Sequence, residues 1–371
     1  MTDDPRLTPL AAALPASVPF VGPEAQERAR GAPFIARLGA NESVFGPSPK
    51  AITAMKAAAS DVWKYADPES HDLRAALATH HGIAPEHIMI AEGIDTLLGL
   101  LVRLLVGPGD TVVTSAGAYP TFNYHVAGFG GILHQIAYTG DFEDPDHLTT
   151  KAREVRAKLI YLANPDNPMG SVHDAKTIRR MLKSVPDHAL LVLDEAYIEL
   201  APDDTAAKID PTDTRVIRMR TFSKGYGMAG ARIAYAIAEK ELVTAFDKVR
   251  NHFGVNRTAQ IGALAALRDQ DYLNAVRGWV AEARVRIAEI AADNGLSVVP
   301  SQTNFVAVDC GRDGDFARAV LKSLVGQGIF VRMPGVAPMD RCIRVSAGRP
   351  QDLAAFADAL PKALEEAGAS A

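Results

Sequence analysis

Three things are scarce in this chain: cysteine, net positive charge and long apolar runs. Of 371 residues only Cys310 and Cys342 are cysteines. Two thiols make no disulfide framework and fall into no metal-ligand spacing, so no metal is expected and a reducing cytoplasm is the simplest home. Lys and Arg number 39 against 44 Asp and Glu, for a net charge of −5. Such a balance gives no basic field for nucleic acid. No stretch approaches the length of a membrane span. The apolar run from Leu10 to Leu14 is too short for a signal-peptide core, and its lead is acidic at Asp3 and Asp4. There is no internal repeat. What remains is 48% hydrophobic and 22% charged, an ordinary globular composition of a length that suits one large and one small domain.

The chain divides by texture. Residues 1–40, rich in Pro, Ala and Gly, read as an extended arm with a short helix from Pro23 to Arg30. The spacing predicts helices over Lys50–Ala59 and Ser70–His80. Strands and helices then alternate, with strands at 87–91, 111–115, 132–137, 159–163, 190–193, 216–219 and 233–238. These strands are short and apolar on both sides. That is the pattern of a mostly parallel sheet covered by helices on both faces. After Lys240 long Ala/Arg/Glu helices take over, and short strands recur near 297–300, 304–309, 329–332 and 343–345. The expected organisation is an arm (1–40), a large α/β domain (41–245) and a smaller α+β domain (246–371).

Ligands of open α/β sheets bind beyond the carboxyl ends of the strands, so the loops there carry the functional signal. Gly93-Ile94-Asp95 opens a helix whose first N–H groups suit a phosphate, with Asp95 reading as the helix cap. Phe122, after the next strand, either stacks on a flat ligand ring or fills core. Asn164-Pro165-Asp166-Asn167-Pro168-Met169-Gly170 is either an Asx-Pro turn alone or a device that aims the Asn167 amide at a phenolate oxygen. Asp194, directly after Leu190-Leu191-Val192-Leu193, is either a helix cap or a deep carboxylate facing a cation. A contact of the second kind is worth about 4 kcal/mol at an effective dielectric near 20, before desolvation. Tyr197 stands one turn further on.

The stretch from Arg220 to Arg232 decides among these readings. Lys224 lies just past a buried strand, between hydroxyls and glycines, and Arg232 follows. Desolvation and cationic neighbours lower a lysine's pKa there and free the amine to form a Schiff base. Thr221, Ser223 and Arg232 supply a phosphate cup beside it. A reactive lysine, a phosphate cup and a deep carboxylate together are what pyridoxal phosphate requires.

In this order, Asn167, Asp194, Tyr197, Lys224 and Arg232 resemble the class I/II, fold-type I aminotransferases, and within them the histidinol-phosphate aminotransferases. Leu38-Gly39-Ala40-Asn41-Glu42-Ser43 and Ile343-Arg344-Val345-Ser346-Ala347-Gly348 extend the likeness over nearly the whole chain. The resemblance implies that Lys224 carries the cofactor and moves the substrate proton, and that Asp194 pairs with the pyridine nitrogen. It implies that Asn167 and Tyr197 hold the ring oxygen, and that Gly93, Ile94, Thr221, Ser223 and Arg232 hold the phosphate, with Asp95 beside them. Phe122 would stack on the ring. Tyr65 would reach a partner's cofactor across a homodimer with shared sites. Arg344 and Asn41 would take the substrate carboxylate and Arg332 a substrate phosphate. The pattern departs at Phe20, where a tyrosine hydroxyl is usual, and at Met169, where a threonine is. Losing one hydroxyl–phosphate bond costs roughly 1–3 kcal/mol of recognition, which leaves room for an aromatic donor packed against Phe20. The expected reaction is amino transfer between histidinol phosphate and 2-oxoglutarate. The alternatives are an aromatic amino-acid donor or a decarboxylase such as the threonine-phosphate enzymes, since fold does not decide which bond breaks. Residues 1–40 are too short and too weakly basic for a DNA-binding domain.

Overall fold

A computed structural model describes residues 6–15 and 21–369. The strands, in chain order, are β1 (Ala36–Arg37), β2 (Ile88–Ala91), β3 (Thr111–Ser115), β4 (Ile132–Ile136), β5 (Leu159–Ala163), β6 (Leu190–Asp194), β7 (Val216–Thr221), β8 (Ala234–Ile237), β9 (Ser297–Val298), β10 (Phe305–Asp309), β11 (Ile329–Phe330) and β12 (Cys342–Ser346). Seven of them form one sheet in the order β2-β8-β7-β6-β5-β3-β4. Only β8 runs against its neighbours β2 and β7; the remaining pairs are parallel. The expected mostly parallel seven-stranded sheet is therefore present.

The strands of this sheet are apolar throughout because both faces are covered. Every residue of β5 and β6 is buried. Along β5 the side chains alternate: Leu159, Tyr161 and Ala163 pack with helix Ile94–Leu105, while Ile160 and Leu162 pack with helices Pro145–Glu154 and Ala175–Ser184. Each fully buried Leu or Ile there contributes about 1.5–3 kcal/mol relative to exposure. The same period of two carries Val192 and Asp194 of β6 to the Tyr161 side. Strands β6 and β7 run on to Asp194 and Thr221, beyond the expected ends at 193 and 219, so both functional side chains leave from the last rung of the sheet.

The C-terminal part is a three-stranded antiparallel sheet, β12-β10-β9. It is packed with helices Gln270–Asp293, Gly314–Gly326 and Pro350–Ala369. The end of the arm belongs to it: β1 pairs in parallel with β11, Leu38 N–H donates to Phe330 O at 2.7 Å, and Ser346 N–H donates to Leu38 O at 2.7 Å. Asn41 is thereby delivered to the end of β12. Helix Arg257–Leu267 lies beyond the expected boundary at 245, yet it packs with helices Pro49–Ala58 and His71–His81 on the large sheet. The texture change after Lys240 precedes the packing change by this one helix.

Candidate active site

One cavity of about 660 Å³ opens beyond the carboxyl ends of β5, β6 and β7 and is closed on its far side by the small sheet. Its walls include Asn41, Ile94, Asp95, Asn167, Asp194, Tyr197, Thr221, Ser223, Lys224, Arg232, Arg332 and Arg344.

At one end helix Ile94–Leu105 begins. Gly93 precedes it at φ +98°, and a Cβ there would sit 2.4 Å from Arg232 Nη2. Glycine is required both for the backbone and for the guanidinium lying over it. Arg232 Nη1 donates to Ala229 O at 3.1 Å, and Nη2 stands 3.8 Å from Asp95 Oδ2. Thr221 Oγ1 donates to Ser223 Oγ at 2.9 Å. Helix N–H groups, two hydroxyls and a guanidinium thus converge on an anion-sized position. The expectation that Asp95 caps the helix is corrected. Gly93 is the cap residue, and Asp95 sits within the first turn, where it accepts from Tyr119 OH at 2.9 Å.

Lys224, half-buried, donates through Nζ to Asn41 O at 2.9 Å and lies 5.5 Å from the Tyr197 ring centre. Burial, and then the charge of Arg344, lower its ammonium to about 8. Asn41 takes a left-handed backbone at φ +54°. Its amide donates to Tyr197 OH at 3.0 Å, its Oδ1 accepts from Ser346 Oγ at 3.2 Å, and its carbonyl also accepts from Asn304 at 3.0 Å. Burial pushes the Tyr197 phenol up to about 12.

On the floor, Asp194 is 5% exposed; it accepts from Tyr161 OH at 2.7 Å and from Ala196 N–H at 2.9 Å. Burial raises its carboxyl to about 6 against those two donors. A buried carboxylate satisfied only by neutral donors calls for a cation. The next residue, Glu195, accepts from Arg218 at 3.0 Å and from Arg220 at 2.8 Å, so the ends of β6 and β7 are fastened together behind the cavity.

Opposite lie two arginines. Arg332 and Arg344 face each other across an antiparallel bridge, with Arg344 N–H donating to Arg332 O at 2.6 Å. Arg344 Nη1 donates to Asn167 Oδ1, its Nη2 reaches Gly39 O at 3.5 Å, and its buried Nε has no partner. Burial lowers its pKa to about 10. Arg332 Nη2 donates to Val21 O at 2.9 Å, which ties the middle of the arm to the cavity.

Some expected residues do not line this cavity, and Tyr65 was expected to reach that of a partner. Phe122 is fully buried and stacks on Tyr161 with ring centres 4.8 Å apart. It serves as core, and the aromatic that this loop contributes to the cavity wall is Tyr119. Tyr65 is 79% exposed, its ring against Phe253 at 4.7 Å. Phe20 lies outside the described residues. Met169 is packed among Val299, Ala307, Met339 and Cys342, away from the cavity. Tyr161 was missed because an apolar strand hides a functional hydroxyl. Tyr119, next to Pro120, could have been found as the last residue before a helix at a strand's carboxyl end.

The chain is similar to known proteins over nearly its whole length. The family described as aminotransferase class I and II matches residues 35–360. A histidinol-phosphate aminotransferase from an Anaeromyxobacter species is 35% identical over 350 residues, covering 93% of this chain and 95% of its own length. One from Roseiflexus castenholzii is 35% identical over 365 residues, covering 95% and 97%. The histidinol-phosphate aminotransferase of Sinorhizobium meliloti, solved in complex with pyridoxal 5'-phosphate, superimposes with a TM-score of 0.94 at 52% identity over 98% of this chain and 99% of that one. This chain belongs to the class I and II aminotransferases, on the fold-type I scaffold. Within them it stands with the histidinol-phosphate aminotransferases, as the relatives' shared name over nearly full length indicates.

Proposed function

We propose that the chain is a pyridoxal-phosphate-dependent aminotransferase that moves the amino group of histidinol phosphate to 2-oxoglutarate. The observation that carries it is the convergence of Lys224 and Asp194 on one cavity, with a phosphate cup at one end and an arginine pair opposite. The residues fit the cofactor. The Gly93 hollow under Arg232 and the Thr221 and Ser223 hydroxyls suit its phosphate. Asp194, held by neutral donors alone, suits the cationic pyridine nitrogen. Bound there, the group supplies an electron sink for the charge left when the donor's Cα–H bond breaks.

The chain's own residues do the rest. Lys224 Nζ, with its pKa lowered to about 8, is the base that removes the Cα proton and returns it; such a group works best when its pKa lies near the working pH. Tyr197 OH and the Asn167 amide nitrogen orient the ring oxygen, with Asn167 Oδ1 already turned to Arg344. Asp194 keeps the pyridine nitrogen protonated. Histidinol phosphate has no α-carboxylate, so its phosphate is the anion that Arg344 and Arg332 meet. Glutamate and 2-oxoglutarate bring a carboxylate to the same guanidinium of Arg344. Its planar fork and unpartnered Nε suit either anion.

We further propose a homodimer. Tyr65, 79% exposed, packs its ring against the exposed Phe253, and Trp63, two residues earlier, is 78% exposed; such exposed apolar side chains suit a second copy. Among the described residues no helix is long and apolar enough to cross a membrane. Two buried thiols suit a reducing cytoplasm.

A donor panel with 2-oxoglutarate tests the substrate. Histidinol phosphate should exceed phenylalanine, tyrosine and histidine in kcat/KM. An aromatic amino acid turning over faster would move the assignment to the aromatic aminotransferases, the reading that Phe20 suggests.

A further inference from the structure

Just before β12, three residues ahead of Arg344, stands an arginine that the amino-transfer reading does not use. Arg341 divides its guanidinium among three partners. Nε donates to Asp309 Oδ2 at 2.7 Å, Nη1 to Pro338 O at 3.0 Å and Nη2 to Asp141 Oδ1 at 2.8 Å. Two of these lie on its own side: Pro338 is in the preceding turn, and Asp309 ends β10 opposite Cys342. Cys310 N–H also donates to Arg341 O at 3.1 Å. The remaining partner, Asp141, belongs to the large-sheet side, in the loop between β4 and helix Pro145–Glu154. A fork held from three directions transmits position better than a flexible point charge does.

Asp141 is itself fixed. Two residues on, the buried Glu143 accepts from Ser115 Oγ at 2.6 Å and from Ala163 N–H at 2.9 Å, which fastens the loop to the ends of β3 and β5. Asp144 caps the helix that follows. The Asp141 carbonyl accepts from Ser171 Oγ at 2.8 Å, and Ser171 O accepts from Asp166 N–H at 2.8 Å. Asn167 comes next and accepts from Arg344. The contacts thus close into a ring: Arg341, Asp141, Ser171, the Asn167 loop, Arg344, and back along β12 to Arg341. Gln302 N–H, donating to Gly170 O at 3.0 Å, joins the same two parts of the molecule.

We infer that the Arg341–Asp141 tie sets where Arg344 stands relative to the large-sheet wall that carries Lys224 and Asp194, so that Arg341 and Asp141 are positioning residues for the substrate anion. The bond from Arg344 to Asn167 lies in the cavity, where an arriving anion competes for it. Arg341 and Asp141 do not line the cavity, so their tie persists while substrates exchange. Both side chains are about a quarter exposed, 26% and 29%. An ion pair at that depth contributes little to stability. Its effect on position is a separate matter, because a misplacement of about 1 Å at a substrate-holding group costs up to about 10²-fold.

The test compares the cofactor-loaded wild type with Asp141→Asn, Arg341→Gln and the double variant. Asp141→Asn should raise KM for 2-oxoglutarate about 3–10-fold with kcat within about twofold, and with Tm within about 3 °C of the wild type. The double variant should be no worse in KM than Arg341→Gln alone, because both changes remove one interaction. Effects on KM that multiply in the double variant, or a fall in kcat at constant KM, overturn the positioning role. Amide hydrogen exchange reads the tie without turnover. The peptide spanning Asp166–Ser171 should exchange about threefold faster or more in both single variants. Unchanged exchange in both overturns the tie. The kinetic arm rests on the aminotransferase reading. If the wild type does not use 2-oxoglutarate, that reading fails, and hydrogen exchange still judges the tie.

Discussion

The two walls of the cavity are built by different means. On the large-sheet side, Asp194 and Thr221 are the last residues of parallel neighbours β6 and β7, Lys224 follows three residues after Thr221, and the Glu195–Arg218–Arg220 cluster fastens the two strands. Backbone register sets these positions. On the small-sheet side, Arg344 sits in the middle of β12 opposite Ala307 of β10, Arg332 joins it by one isolated bridge, and both guanidinium groups are aimed by side-chain and carbonyl contacts with Asn167, Gly39 and Val21. The first wall suits a permanent tenant whose reacting atoms must not move. The second suits two substrates in turn, because its polar contacts can be exchanged for those of an arriving anion.

Substitutions can break this contrast or sharpen it. The largest loss should come at Lys224: Lys224→Ala should lower kcat by about 10²–10⁴-fold, the usual weight of a positioned base. Borohydride treatment should then leave no cofactor attached to the chain by mass spectrometry, whereas the wild type keeps it at Lys224. Asp194→Asn should cost about 10²–10³-fold in kcat, as for removal of one preorganised electrostatic partner, with KM for 2-oxoglutarate little changed. A change confined to KM would mean that the register-built wall also selects substrate.

Arg344→Lys should act the other way, raising KM for 2-oxoglutarate by roughly 10–100-fold with a smaller effect on kcat. A point charge cannot reproduce the fork, and charged hydrogen bonds are worth about 1.5–3 kcal/mol. The neighbouring aromatics separate core from wall. Phe122→Ala should destabilise by about 3–5 kcal/mol in denaturant melts, while Tyr119→Phe, losing its bond to Asp95, should cost only about 0.5–1.5 kcal/mol in transition-state binding. The mildest effect is on pH. The Lys224 amine loses its proton through about 8, so the rate at which apoenzyme captures cofactor should rise with pH across that value. A flat stopped-flow profile would place the lysine outside a desolvated setting. Because its native pKa lies below the unfolded one, this group also favours folding more as pH rises between about 8 and 10.5.

The large sheet was readable because its signal is local. Short runs such as Leu159–Ala163 and Leu190–Leu193 are apolar at every position, and chemistry-bearing residues sit just after them. Asn167, Asp194, Tyr197, Thr221, Ser223, Lys224, Arg232, Arg332, Arg344 and Asn41 were all legible by type and order, and all line the one cavity. What was not legible depends on which way a side chain turns. Tyr119 and Phe122 lie within one turn of each other on either side of the helix start. Only packing decides that the first faces the cavity and the second stacks on Tyr161. Asp95 looked like a cap because carboxylates commonly cap helices, but the close approach of Arg232 reserves that position for Gly93. Helix Arg257–Leu267 has the composition of the C-terminal region and the packing of the large one.

The bridge between Arg332 and Arg344 brings two like charges to one wall, and that of Arg332 makes the Arg344 charge less comfortable. An arrangement of this kind counts charges. A fully ionised phosphate relieves both guanidinium groups at once, whereas a monoanion relieves one and leaves the repulsion standing. The second ionisation of a phosphate monoester lies near pH 6. Below that point the preferred donor turns into the poorer guest while a carboxylate acceptor is still fully ionised, so acidity shifts the competition between the two substrates through the substrates' own ionisation.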